Sequence, residues 1–194
     1  SNLPVGLELN SSLSVLQGTP SSTGVYQSIF ETSNEYEQKW LSSLGPEPLT
    51  DDFTAQVLKS NLHGKRSPIK SALLDQRVVS GLGNIYVSEI LFRSKISPIK
   101  TAAEVAGKSN RVNTKIQRIF ENTNQVIAEA IMVGGSTISD FRGVSGDSDL
   151  GYFAQQFRVF NREGEECIKE KCKGKILRIV QSGRSTFYCP KCQK

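Results

Sequence analysis

Long hydrophobic runs are missing from this 194-residue sequence. The longest apolar stretches fall far short of the ~18 to 20 residues that a membrane-crossing helix requires. No basic-then-apolar secretory signal opens the chain either. A hydrophobic content of 37% is nevertheless sufficient for an ordinary core, which excludes disorder of the whole chain. These features predict a soluble, cytoplasmic protein that does not span a membrane.

Basic residues are scarce in the first third of the chain. Residues 1 to 64 contain two lysines and no arginine against seven acidic residues, a net charge of −5, whereas residues 65 to 194 carry a net charge of +10. A basic region of this kind is typical of a surface that binds a polyanion, either nucleic acid or an acidic membrane. Lysines and arginines that only keep the protein soluble are the alternative interpretation.

The first 45 residues show no complete hydrophobic core. They are rich in serine, threonine, asparagine and glycine, and only residues 5 to 9 and 24 to 30 are β-like. A linker with two prolines, Pro46 and Pro48, follows and cannot be helical across them. The predicted domains are a partial β region at 1–45, a helical domain at 46–150 and a ribbon at 151–194.

Hydrophobic spacing predicts helices between the linker and Gly134. Thr50 is the predicted N-cap of the first helix, with Asp51 and Asp52 in its first turn. Gly134 and Gly135 would end the last helix in the manner of C-caps. The predicted helices are 50–63, 68–76, 85–95 and 110–133. The short strands predicted after them are 151–153, 157–160, 176–180 and 186–188.

All four cysteines lie in the last 28 residues. They follow the spacing Cys167-x4-Cys172-x16-Cys189-x2-Cys192. Two closely spaced pairs separated by a hairpin supply the tetrahedral thiolate ligands of a structural Zn²⁺. Two disulfides are the competing interpretation, and the missing secretory signal disfavours them. Because four thiolates leave no position for water, the sequence predicts one structural zinc ion and no catalytic metal.

The predicted zinc ribbon is strongly basic. Arg184 is predicted to lie on its hairpin turn, where a guanidinium can bind phosphate oxygens through two hydrogen bonds. A solvated basic tail is the alternative interpretation. The basic residues of the ribbon are Lys169, Lys171, Lys173, Lys175, Arg178, Arg184, Lys191 and Lys194.

The turn at residues 80–84, Ser-Gly-Leu-Gly-Asn, has the features of an anion site. Gly81 and Gly83 permit the backbone to approach a phosphate closely. Asn84 starts a predicted helix and so lies beside exposed N–H groups at the positive end of the helix dipole. A plain N-cap for Asn84 and a tight turn for the glycines are the alternatives.

Three stretches of the sequence have a shared resemblance. They are 69–76 with 81–89, 134–137 with 140–141 and 151–153, and 183–193. Together they resemble the formamidopyrimidine-DNA glycosylase and endonuclease VIII family of base-excision DNA repair enzymes. The match is closest to the formamidopyrimidine type and covers about residues 36 to 194. It implies a mainly α fold with a small β zinc ribbon, in which a helix-two-turn-helix domain precedes a C-terminal zinc finger and follows a partial β remnant.

The resemblance also implies roles for single residues. It places Arg66, Lys70, Asn84 and Tyr152 in contact with DNA, with Lys70 and Asn84 on the phosphates that flank the damaged base. Arg184 would contact phosphate and donate a proton in the second elimination step. The implied partner is double-stranded DNA with a damaged base or an abasic site, bound by a monomer, and no membrane partner is implied.

Family members are bifunctional glycosylases and lyases that remove oxidised purines, namely 8-oxoguanine and formamidopyrimidines. Their nucleophile is an N-terminal proline, whereas this sequence begins with Ser1, and Pro4 is internal. An internal proline nitrogen is an amide and cannot attack the sugar. We therefore expect this chain to bind zinc and damaged DNA without cleaving the DNA. The remaining alternative is a non-catalytic zinc-ribbon module of the ribosomal or transcription-related type.

Overall fold

The structure divides the chain into two compact units. It is a computed structural model that describes residues 7–10, 15–18, 41–133 and 156–194. The units are Ser1–Ser42 and Ser43–Lys194. In the first unit, strand β1 (Leu7–Asn10) pairs antiparallel with strand β2 (Val15–Gly18). The β-like run predicted at 24–30 lies outside the described residues.

The second unit is mainly helical and ends in a two-stranded ribbon. This arrangement confirms the predicted fold class. No helix in the described part of the chain is long and apolar enough to span a membrane. The elements are α1 (Ala55–Leu62), α2 (Ile69–Leu73), α3 (Asn84–Ser94), α4 (Ala102–Ala106), α5 (Thr114–Met132), β3 (Leu177–Gln181) and β4 (Arg184–Tyr188).

Helix α1 begins four residues later than predicted. Its N-cap is Thr54, whose side chain accepts a hydrogen bond from the Val57 N–H at 3.2 Å. The hydroxyl of Thr50 instead donates to the Glu47 carbonyl at 2.8 Å, and the Thr50 carbonyl accepts from the Phe53 N–H. Thr50 therefore closes a turn that precedes the helix, and the predicted cap at Thr50 is wrong.

The two long helices lie close to their predicted ranges. Helix α3 ends because Lys95 adopts a left-handed conformation with φ of 59°. Helix α5 starts at Thr114 rather than near residue 110, because the Asn113 side chain accepts hydrogen bonds from the N–H groups of Lys115 and Ile116. The predicted glycine cap at 134–135 lies outside the described residues.

One hydrophobic core holds the helices together. Helix α3 packs along α5, and the loop between α2 and α3 adds Val78, Val79 and Leu82 to the same core. Helix α4, which the sequence did not predict, is only five residues long and is fixed by a capping box between Thr101 and Glu104. The loop between α2 and α3 and the shared core therefore position the start of α3.

The ribbon hairpin has a two-residue turn. Gln181 pairs with Arg184, so the turn consists of Ser182 and Gly183, with φ of 49° and 74°. Two successive positive φ values are typical of the type I′ turn that suits the twist of a hairpin. Arg184 consequently follows the turn as the first residue of β4, one position beyond the predicted site.

The strand predicted at residues 157–160 is absent. The backbone N–H groups of Arg158, Val159 and Phe160 all donate to the carboxylate of Glu89, at 2.9 to 3.0 Å. Glu89 is fully buried in α3 and takes the place of a neighbouring strand as hydrogen-bond acceptor. This loop is thereby tied to the helix that begins at the predicted anion site.

Candidate nucleic-acid interface and metal centre

The four cysteines form one compact cluster. Their Sγ atoms all lie within 4.8 Å of one another, with Cys167 and Cys192 at 3.8 Å and Cys172 and Cys189 at 3.5 Å. Tetrahedral Zn²⁺ with Zn–S bonds of about 2.3 Å requires sulfur atoms about 3.8 Å apart. All four are free thiols rather than disulfides. The cluster therefore fits one structural zinc ion, as predicted, and rules out the alternative of two disulfides.

A glycine keeps space open for the sulfur atoms. A Cβ atom on Gly174 would lie 2.7 Å from the Cys189 Sγ and 3.3 Å from the Cys172 Sγ. The Gly174 carbonyl also accepts a hydrogen bond from the Cys167 N–H at 2.7 Å. This position therefore shapes the cysteine turn and admits no side chain.

Gln193 connects the metal centre to the helical part of the unit. Its Oε1 accepts from the Cys189 N–H at 2.8 Å, and its Nε2 donates to the Ile96 carbonyl at 2.9 Å. The side chain is buried, so both bonds are shielded from water. Lys169 adds a second connection, since its Nζ donates to the Phe92 carbonyl and lies 4.4 Å from the centre of that ring. The cysteine cluster is thus fixed against the end of α3.

The predicted anion site lies at the start of α3. Gly83 is the N-cap, and Asn84 is the first helical residue. The simple N-cap interpretation of Asn84 therefore does not apply. Its Nδ2 donates 3.1 Å to the carbonyl of Ser185 on the ribbon hairpin. Gln76 shapes the preceding turn, because its Oε1 accepts from the Gly81 N–H at 2.8 Å.

Lys70 contacts the same hairpin carbonyl from α2. Its Nζ donates to the Ser185 carbonyl at 2.9 Å and to the Thr186 Oγ1 at 2.7 Å. The side chain is only 1% exposed. Burial, with a further contribution from the charge of Arg184, lowers the pKa of Lys70 to about 8. Lys70 and Asn84 therefore seat the hairpin on the helical domain through one shared backbone atom.

An open groove lies where these elements meet. Its volume is about 460 Å³, and it combines two guanidinium groups, two side-chain amides and two aromatic rings. The rings of Phe160 and Phe187 pack edge to face at 5.1 Å and support one wall. Two guanidinium groups beside a helix start favour a phosphate ligand. The lining residues are Asn84, Phe160, Asn161, Arg178, Arg184, Ser185 and Phe187.

The structure brings together three of the five predicted DNA-binding residues. Asn84 and Arg184 line the groove, and Lys70 lies behind the hairpin that forms its edge. Arg66 is exposed on the loop between α1 and α2 and is not among the groove residues. Tyr152 lies outside the described residues.

Sequence reasoning missed the other wall of the groove. Phe160 and Asn161 are placed there by the Glu89 carboxylate, 70 residues away in sequence from Val159. Asn161 has φ of 57°, a conformation that asparagine tolerates better than most residues. In the sequence, Arg178 is one of eight basic ribbon residues and nothing local distinguishes it. Its register, opposite Phe187 in the hairpin, is the signal that could have identified it.

Two family models match the second unit. Residues 44–142 match the formamidopyrimidine-DNA glycosylase H2TH domain, and residues 164–194 match the zinc finger found in FPG and IleRS. These matches cover the groove walls at Asn84 and Arg184 as well as all four cysteines.

Individual relatives and solved structures agree with these matches. A formamidopyrimidine-DNA glycosylase of Roseobacter denitrificans is 51% identical over 166 residues, which cover 86% of this chain and 56% of that protein. One of Rhodopseudomonas palustris is 44% identical over 190 residues, which cover 98% of this chain and 64% of that protein. The chain thus spans somewhat more than half the length of these relatives.

Among solved structures, the MutM (Fpg) protein of Thermus thermophilus superposes with a TM-score of 0.71 at 36% identity and covers 83% of this chain and 57% of that one. A complex of the Lactococcus lactis Fpg with DNA containing an abasic site gives a TM-score of 0.69 at 31% identity, over 84% of this chain and 56% of that one.

Proposed function

The chain belongs to the formamidopyrimidine-DNA glycosylase family, and from this membership we propose that it carries the damaged-DNA-binding half of a base-excision repair enzyme. The enzyme would be a DNA glycosylase and abasic-site lyase that removes oxidised purines. Its partner is double-stranded DNA with a damaged base or an abasic site, bound by a monomer in the cytoplasm. The proposed functional division places the helix-two-turn-helix domain at 46–150 and the zinc finger at 151–194.

The observation that carries this proposal is the shared carbonyl of Ser185. Lys70 and Asn84, from two different helices, both donate to it, and Arg184 lies one residue before it. Turning a base out of the duplex costs a few kcal/mol of unstacking and unpairing free energy. The helical domain and the ribbon hairpin form a rigid junction, and each presents a cation or an amide to the same groove. This arrangement suits binding of the DNA backbone.

We assign the groove to the DNA backbone at the lesion. Asn84 and Arg184 would donate to phosphate oxygens, because both line the groove and Arg184 is exposed. Lys70 would act on the same phosphate through its charge and by holding the hairpin, since its ammonium group is buried and already donates twice. Arg66 and Tyr152 would extend the contacts along the duplex. Arg184 would also donate the proton of the second elimination step in the complete enzyme.

Zinc has a structural role in this proposal. The ion would be held by Cys167, Cys172, Cys189 and Cys192, and it would supply a fixed tetrahedral crosslink. The chain's own residues would orient this crosslink relative to the helices. Gln193 would carry the orientation of the cysteine turn to the end of α3, so that the hairpin presents Arg184 to the DNA.

Fluorescence anisotropy tests the proposal with two labelled duplexes, one undamaged and one with a tetrahydrofuran abasic-site analogue. We expect tighter binding to the second, and log K should fall with log salt by about 0.9 per phosphate contacted. Arg184→Ala should weaken binding and reduce that slope. Arg162→Ala serves as the matched control, because Arg162 pairs with Glu165 on the same ribbon and does not line the groove.

A salt-independent affinity would refute the phosphate grip. Equal affinity for the two duplexes, with tighter binding to structured RNA, would instead favour the alternative of a non-catalytic ribbon module.

A further inference from the structure

Arg178 is a second guanidinium in the groove with a distinctive set of contacts. Its Nε donates to the Ser185 Oγ at 3.1 Å, and its guanidinium lies 6.0 Å from the centre of the Phe187 ring. Both contacts lie on the face of the hairpin where Arg178 and Phe187 are cross-strand partners. Ser185 and Phe187 therefore fix the direction of the Arg178 side chain while it stays 48% exposed.

Most of the hydrogen-bonding capacity of Arg178 is unused. Within the described residues, the bond from Nε to Ser185 is its only hydrogen bond. Nη1 and Nη2 together carry four N–H groups in a planar arrangement that matches two oxygens of a phosphate. A side chain held at Nε and open at both terminal nitrogens is prepared for an anionic ligand.

Within the described part of the chain, the carboxylate that pairs with Arg178 is a weak partner. Glu163 Oε2 lies 3.8 Å from Arg178 Nη1, beyond hydrogen-bond distance, and the Glu163 side chain is 57% exposed. Exposed ion pairs of this kind contribute little stability. By contrast, the neighbouring pair of Arg162 Nε and Glu165 Oε2 is hydrogen-bonded at 2.8 Å. In the free protein, Glu163 therefore offsets the positive charge of Arg178 without accepting a hydrogen bond from its N–H groups.

We propose that Arg178 is a phosphate-binding residue of the groove, and that it exchanges its ion pair with Glu163 for a DNA phosphate when the duplex binds. Glu163 then competes with the phosphate for Arg178, and it lowers the affinity of the groove for ligands that cannot displace it. This inference rests on the proposed function, because it adds a contact to the same DNA interface.

The first test compares Arg178→Ala with the control Arg162→Ala in the zinc-loaded chain, using the tetrahydrofuran duplex. Arg178→Ala should weaken binding about tenfold and reduce the salt slope, whereas Arg162→Ala should leave both nearly unchanged. Arg178→Lys should keep the slope but recover only part of the affinity, because an ammonium cannot form the paired hydrogen bonds. Zinc content and circular dichroism verify that each variant is folded.

The second test is a double-mutant cycle with Glu163→Gln. This substitution should tighten binding roughly threefold in the parent chain, and the gain should largely disappear in the Arg178→Ala background. Glu165→Gln is the charge-matched control and should not depend on Arg178. A gain from Glu163→Gln that persists without Arg178, or an Arg178→Ala variant that binds like the control, would overturn the inference.

The outcome for the parent chain separates the two proposals. If the parent binds the duplex with a clear salt slope and only the Arg178 results are negative, the proposed function stands and the inference fails. If the parent itself shows no salt-dependent binding, the proposed function fails first.

Discussion

The helical part and the zinc ribbon of the second unit are stabilised in different ways. Among the described residues, the helices share one core of 20 buried apolar side chains. The core of the ribbon contains six, of which Cys167 and Cys189 are proposed metal ligands and Phe92 belongs to α3. We therefore expect the helices to retain more structure without zinc than the ribbon, which depends on the metal and on its neighbour. One wall of the groove therefore belongs to the helical core, and the other belongs to the zinc-dependent ribbon.

Removing zinc is the largest perturbation available to this comparison. A chelator should unfold residues 164–194 and abolish duplex binding, because structural zinc supplies of the order of 10 kcal/mol or more to such ribbons. The helices should persist. Hydrogen exchange measured along the chain distinguishes the two parts. Helices that lose protection together with the ribbon would show that the two parts are one cooperative unit.

Truncating a side chain in the helical core should have the opposite effect to zinc removal: it should destabilise the helices and leave the zinc bound. Leu58→Ala removes a fully buried side chain from α1 and should lower the free energy of unfolding of the helices by about 2 to 5 kcal/mol. Zinc content should remain at one ion per chain. Thermal unfolding and a colorimetric zinc assay provide the two readouts. Val180→Ala, at a position 69% exposed on the ribbon, is the control and should change neither.

Gln193→Ala tests the connection between the two parts. It leaves the Cys189 N–H and the Ile96 carbonyl without their partner in a buried place, which typically costs about 1 to 3 kcal/mol. We expect weaker zinc retention in a chelator competition and weaker duplex binding, with the melting of the helices little changed. Unchanged zinc retention would mean that the ribbon is positioned without this contact.

The lowered pKa of Lys70 provides the smallest effect, and its sign differs between stability and binding. The unfolded state binds this proton more tightly, since the pKa falls from 10.5 to about 8 on folding. Stability should therefore rise by about 1 kcal/mol between pH 8 and pH 9 from this group. A DNA phosphate favours the charged form, so affinity should fall by up to about fivefold over the same range.

Lys70→Met is the control for this pH dependence. It removes the titrating group while keeping a long side chain in the buried site, so both trends should disappear. Chemical denaturation and anisotropy at several pH values measure them. Parallel rather than opposite changes in stability and affinity would contradict the assignment to Lys70.

The sequence was most informative where local chemistry decides the structure. The spacing of the four cysteines predicted the metal cluster, and hydrophobic spacing located α3 and α5 to within a few residues. Both signals are local, because a zinc knuckle and an amphipathic helix are determined by residues a few positions apart.

Long-range hydrogen bonds account for what sequence reasoning missed. The 157–160 segment has a strand-like composition, but its N–H groups bind a carboxylate about 70 residues away. The hydrogen bond from Lys70 to Thr186, which holds the hairpin on α2, joins residues 116 positions apart. Such partners are chosen by the folded structure and leave no local pattern.

The carboxylate of Glu89 also has a consequence for the order of folding. We expect residues 158–160 to acquire their hydrogen-bond acceptor after α3 has formed, and Phe160 and Asn161 to take their places in the groove with them. Contacts that close loops of this length form late, because the chain must first lose the entropy of the intervening segment. During synthesis, the helices can therefore assemble while the ribbon is still being made. We therefore expect competence to bind DNA to appear after the helices have formed.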